Sequence, residues 1–182
     1  MAYQQIQTQA RSKEVSAFAA PDIAVRIVGA LLALAISAVH VADQGSVTAF
    51  TSPDWIGWGY RLIEAGGVLT AAALLIAPPA PRAASPASAA LARLGWAAGV
   101  LLGTAPFLAY VASRTIGVPG DPGDVGNWGY WVGTVSLLVE AALVSLSVSL
   151  LLASRQSGRQ RLANSRVSES RSSRQPSDSP RQ

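Results

Sequence analysis

Five ionisable residues fall within or at the edges of otherwise apolar stretches: His40, Arg61, Glu64, Arg114 and Glu140. Such groups are costly in hydrocarbon, and their first reading is a ligand, ion or proton site. An imidazole and a carboxyl group can share a proton or hold a polar ligand between them, and a guanidinium fixes a carboxylate through paired hydrogen bonds. At about 1.5 Å of helix rise per residue, His40 and Glu64 lie at similar depth, each within roughly 10 Å of one end of its apolar stretch. Spacing therefore predicts a His40–Glu64 contact, with Arg61 one turn above Glu64. Together with Asp43 these residues form a weak candidate metal set, His40, Asp43 and Glu64, but no recognised spacing such as H-E-x-x-H accompanies them. The single histidine leaves no second imidazole for a haem. No cofactor is predicted. No catalytic residue is assigned either: the chain lacks cysteine, a nucleophile-elbow G-x-S-x-G and a phosphate-binding loop, and the expectation is a protein that is not an enzyme.

Glu140 lies ten residues beyond Tyr130, about 15 Å deeper and so near the middle of a bilayer. Gly133, Ser136 and Ser147 recur with it at helical spacing, a polar stripe that belongs inside a bundle. With no cation expected at its level, Glu140 is predicted to keep its proton and donate to the carbonyl of Leu102, which Pro106 deprives of its usual amide partner. Arg114 is expected to serve a loop, reaching Asp121, Asp124 or Glu64.

The elements that position these groups are four apolar blocks near residues 23–42, 57–77, 92–113 and 130–153. Each approaches the roughly 20 residues that cross a bilayer core as a helix. Half the residues are hydrophobic and 13% are charged, against about one-quarter charged in soluble domains. The blocks are rich in Leu, Ala, Val and Gly rather than alternating in period two, which excludes a transmembrane barrel. The first block is longer than a signal-peptide core and follows a long arm, so it is expected to be retained. The fold class predicted is an all-α membrane protein with four transmembrane helices over 21–153, a polar arm at 1–20 and a Ser/Arg-rich tail at 154–182 expected to be disordered. Between the second and third blocks, PPAPRAASPASAA reads as an extended linker.

Basic residues near the block ends cluster on one side: Arg11, Lys13 and Arg26 in the arm, Arg82 and Arg93 at the linker, Arg155, Arg159 and Arg161 in the tail. The other two connections carry Asp43, Asp54, Asp121 and Asp124, with Arg61 and Arg114 at their edges. The excess of positive charge on the cytoplasmic side predicts a multi-pass plasma-membrane protein with both termini in the cytoplasm. The sequence pI of about 10.1 comes mostly from the tail and implies no nucleic-acid partner; the expected partners are the lipid bilayer and either a larger membrane complex or further copies of the chain.

A short motif, D-x-x-x-W-G-Y, is written twice, as Asp54…Trp58-Gly59-Tyr60 and as Asp124…Trp128-Gly129-Tyr130. Both copies precede an apolar block, so they are expected just outside the bilayer, their aromatic rings forming a belt at headgroup level and their aspartates bonding loop amides. The blocks thus pair as two pseudo-repeated helical hairpins. Gly95, Gly99 and Gly103, like Gly29, Ala33 and Ser37, are spaced four apart and predict close helix packing.

The segments SRTIGVPGDPGDVGNWG at 113–129 and HVADQGSVTAF at 40–50 resemble a group of small actinobacterial integral membrane proteins of uncharacterised function. The resemblance covers the four-helix region and implies a bacterial source, without an activity, substrate or cofactor. Two functional classes follow from the residues: a non-catalytic accessory or small-ligand-binding membrane protein with a polar site in its outer half, or a proton-coupled small carrier using His40, Glu64 and Glu140 and acting as an oligomer.

Overall fold

Leucine, alanine and valine dominate the apolar blocks, and without water to bond the backbone such segments must satisfy it internally. The computed structural model describes the backbone of residues 2–76 and 86–172, and side chains at 22–76, 87–156 and 159. Four helices carry the chain: α1 (Ala2–Gln44), α2 (Asp54–Ile76), α3 (Pro86–Thr115) and α4 (Trp131–Ser172), with a short 3-10 turn at Pro122–Asp124 between the last two. Each contains a span long and apolar enough to cross a membrane: Asp22–Gln44, Asp54–Ile76, Ala87–Thr115 and Trp131–Gln156. Among the described residues there is no strand. The protein is an all-α bundle of multi-pass type.

Several helix ends differ from expectation. α1 does not begin at Pro21 but runs back to Ala2, through an arm rich in Ala and Gln, residues of high helix propensity. α3 begins at Pro86, six residues before the third block, because proline suits the first turn, where the missing amide has no partner anyway. α4 continues past the apolar block to Ser172, so residues 154–172 of the tail are helical in their backbone where disorder was expected. Backbone hydrogen bonds within a helix do not require that its side chains be buried. Residues 77–85 of the linker and 173–182 of the tail lie outside the described residues.

The helices form a ring in chain order, α1 beside α2, α2 beside α3, α3 beside α4 and α4 back beside α1, with little contact across the α1–α3 diagonal. Small residues set the approach. A Cβ on Gly67 would overlap Ser37 Oγ and come within 2.5 Å of the Ala33 carbonyl, so α2 sits backbone-close on α1. Ser37 uses that proximity to donate a hydrogen bond of 2.8 Å to the Glu64 carbonyl. The glycine stripe on α3 serves two neighbours: Gly95 lies against Leu74 of α2, and Gly99 and Gly103 lie against Ser147 and the Glu140 carbonyl of α4. Around these contacts Ala33, Ile36, Leu74 and Leu143 are fully buried. Large apolar side chains such as Leu31, Leu62, Leu101 and Leu138 point outward. Exposed apolar surface all round a bundle suits hydrocarbon rather than water.

Both short connections, 45–53 and 116–130, lie at the same end of this antiparallel ring, and the last residues of α2 and the first of α3 lie at the other. The loop end carries the polar residues.

Candidate functional site

Asp43 sits in the last turn of α1, three residues after His40 and hence on the same face. Its carboxylate accepts two hydroxyls, Tyr60 donating to Oδ2 and Tyr130 to Oδ1. Tyr60 belongs to α2 and Tyr130 is the residue before α4, so one aspartate ties three parts of the bundle. This is what the repeated WGY does. The belt reading is corrected for the tyrosines, which turn inward, whereas Trp58 and Trp128 remain 63% and 49% exposed. The copies also differ in local structure: Trp58-Gly59-Tyr60 lies inside the first turns of α2, while Trp128-Gly129-Tyr130 precedes α4. Asp54 opens α2, where a carboxylate favours the positive end of the helix dipole. Asp124 is drawn away to Arg114. Asp43 as acceptor holds the phenol proton on Tyr130, whose pKa is pushed up to about 12.

Arg114 is 5% exposed and pairs with Asp124, not with Asp121 or Glu64. Its guanidinium lies 4.6 Å from the centre of the Tyr110 ring, and its carbonyl accepts from Gly126 at 2.9 Å. One residue thus folds the second loop over the end of α3. Lysine would keep the charge but lose the planar guanidinium that stacks on Tyr110 while reaching Asp124. Arg114→Lys is therefore expected to lose about 2 kcal/mol, nearly as much as Arg114→Ala. Thermal unfolding of both variants in detergent checks this, and a wild-type melting temperature for the lysine variant would overturn it.

Glu64 and His40 do not meet. The Glu64 carboxylate takes Arg61 at 2.5 Å and Gln44 at 2.6 Å, and Arg61 also donates to the Ala49 carbonyl, closing the first loop onto α2. Gln44 lies one turn beyond His40 on α1 and intercepts the carboxylate. The metal set His40, Asp43 and Glu64 is thereby taken apart, and among the described residues no group of three or more His, Asp or Glu is placed to hold a metal ion.

His40 turns instead to α4. Its Nδ1 faces the Ile36 carbonyl at 2.9 Å, and its Nε2 lies 3.9 Å from Glu140 Oε1. The expected Glu140–Leu102 tie is likewise replaced. Gly103 does lie level with Glu140, but the carboxyl group bonds within α4 itself, where Ser136 Oγ donates to Oε1 at 2.5 Å. Glu140 is 1% exposed, and its second oxygen, Oε2, is buried without a hydrogen-bond partner. Most buried polar atoms in native structures have one.

These groups line a cavity of about 460 Å³ that runs from the loops down to Glu140. Asp43, Tyr60, Tyr130, Arg114 and Asp124 surround its upper part; His40, Ser136 and Glu140 form its lower part. Of the candidates from sequence, Arg61 and Glu64 stand outside it. Residues the sequence reading passed over include Tyr110, Asp121 as a wall of the site, and Asp43 as its centre rather than a weak metal ligand. The three-residue step from His40 to Asp43 was the available signal. Beyond the cavity lining, Ala30, Ala33, Ile36, Ala71, Leu102 and Leu143 form a buried core. The chain matches no family model, no curated protein and no solved structure.

Proposed function

We propose that the chain is a non-catalytic small-ligand-binding protein of the bacterial plasma membrane, with both termini in the cytoplasm and its cavity open towards the extracytoplasmic side. The observation that carries this reading is the cavity itself: a volume in the range of small-molecule sites, with convergent polar groups and, among its lining residues, Glu140, whose buried Oε2 has no partner among the described residues. The orientation rests on the basic residues of the linker and tail set against the acidic residues of the two loops. Arg26 counts less in that balance than its sequence position implies, since Asp22 pairs with it at 3.1 Å.

The His40–Glu140 approach favours a second reading, a proton-coupled carrier. A carrier needs a path to the other end of the bundle, however, and a buried core of Ala30, Ala33, Ile36, Ala71, Leu102 and Leu143 fills the bundle beyond the cavity. Binding without transport accounts for more of the geometry, and a larger membrane complex is the natural user of a bound ligand.

The chain has no cysteine, so a single cysteine at Ser46 or Ser88 reports its side of the membrane. An impermeant thiol reagent on intact cells should label the Ser46 variant and spare the Ser88 variant; the reverse pattern would overturn the orientation. For the binding reading, protein purified in mild detergent should release on heating a small molecule that mass spectrometry finds depleted from Glu140→Leu. Equal release from folded wild type and variant would overturn it.

A further inference from the structure

We infer that the ligand of this cavity is a small organic cation, an ammonium compound held by charge and by aromatic faces. The inference rests on the binding reading above and names its chemistry. Four carboxyl groups line the cavity, Asp43, Asp121, Asp124 and Glu140, against one guanidinium, Arg114. Asp124 takes that guanidinium. Asp43 receives only neutral phenols, and no cation pairs with Asp121 among the described residues. His40 does not reverse the balance. If the imidazole is protonated it neutralises Glu140, and if the proton sits on Glu140 both are neutral. In either state an excess of two negative charges remains.

An excess of that kind in a cavity walled by apolar helices concentrates cations. A cluster of acids is not by itself a site, but Glu140 adds an independent sign. Glu140 lines the cavity, and its Oε2 is buried with no hydrogen-bond partner among the described residues. The atom that fits there is a donor carried by the ligand. Inorganic ions are less well matched than organic ones. No three carboxylate or imidazole groups converge for a metal, and the rings of Trp55, Tyr60 and Tyr130 line the same space. Aromatic rings attract ammonium groups through their negative faces and offer apolar contact to the attached carbon atoms. The ligand this predicts is compact and positively charged, with an N–H able to reach Glu140.

The test uses the full-length chain in an uncharged detergent, at constant ionic strength, followed by thermal unfolding and by tryptophan fluorescence, since Trp55 lines the cavity. The probes are ethylammonium chloride, tetramethylammonium chloride, its neutral counterpart tert-butanol, sodium acetate and magnesium chloride. Ethylammonium and tetramethylammonium should each raise the melting temperature saturably, and ethylammonium should bind more tightly because it carries N–H donors. Asp121→Asn and Glu140→Gln should each weaken that binding about tenfold, equivalent to about 1.4 kcal/mol. Among the described residues no hydrogen bond or ion pair engages the Asp121 side chain, so its variant remains informative if Glu140→Gln folds poorly. Acetate or tert-butanol saturating as tightly would overturn the cation assignment and leave the binding site standing. Preferential saturation by magnesium would assign the site to an inorganic ion and overturn it equally. If Asp121→Asn binds ethylammonium like wild type, the charge excess is not the cause and the inference falls. If no probe saturates, the inference falls as well, and the binding reading is judged by the heat-released molecule alone.

Discussion

Asp43→Ala is expected to lower the melting temperature of the detergent-extracted protein by on the order of 10 °C, corresponding to about 3–4 kcal/mol for a domain of this size. Two tyrosine hydroxyls donate to its two oxygens, and hydrogen bonds to a charged group contribute about 1.5–3 kcal/mol each. Removing the acceptor also strands both phenols in a partly buried site. Asp43→Asn offers one acceptor oxygen and no charge, so an intermediate loss is expected. Tyr60→Phe and Tyr130→Phe should each cost less than Asp43→Ala, and either should cost almost nothing more in the Asp43→Ala background. An additive outcome would show that the tyrosines do not act through Asp43. The effect has a pH signature. Tyr130 has its pKa raised from 10.0 to about 12, so its bond contributes fully below about 10 and is lost as pH rises towards about 12. The stability gap between wild type and Asp43→Ala should narrow over that window and stay constant below it.

Gly67→Val should be at least as damaging, through packing rather than polarity. A Cβ at position 67 would overlap Ser37 Oγ and approach the Ala33 carbonyl oxygen to 2.5 Å. The serine hydroxyl can rotate away, but the carbonyl belongs to the α1 backbone and cannot yield without separating the helices. Overpacking of a well-filled core costs about 1–3 kcal/mol, and more where backbone is the obstacle. A loss above about 3 kcal/mol is expected for valine and roughly 2 kcal/mol for alanine. Gly59 supplies the control. Nothing lies within 4 Å of a Cβ there, and Gly59→Ala inside α2 should be neutral or stabilise by about 0.5–1 kcal/mol. A Gly67→Ala variant as stable as wild type would mean that α1 and α2 are not held backbone-close.

The loss at Gly67 also bears on the site, because α1 carries His40 and Asp43 while α2 carries Tyr60. Ser37 bonds the Glu64 carbonyl beside that contact. A small increase in the α1–α2 distance would pull Tyr60 from Asp43. Loosening of the first hairpin should therefore appear as a combined loss, larger than that of Tyr60→Phe alone.

Composition and spacing were enough for the four spans, because membrane crossing depends on local quantities: the length of an apolar run and the need of each backbone group for a partner within its own helix. The same count along the helix placed Glu140 level with Gly103, a depth the bundle keeps. It could also mark Arg114 as a loop residue, since Asp121 and Asp124 follow within a few positions. What rise per residue cannot supply is which face meets which neighbour. His40 was matched with Glu64 because consecutive helices were the only neighbours visible in one dimension. In the bundle α4 closes the ring against α1, so the imidazole has a second carboxylate within reach, and Gln44 and Arg61 have already taken the first. The two WGY copies pointed to the bilayer surface by composition alone. That their tyrosines converge on Asp43 follows from the two loops sharing one end of the ring, and the four carboxyl groups reach one cavity from three segments, α1, the 116–130 connection and α4, whose relative rotation is set by where small residues let the helices touch.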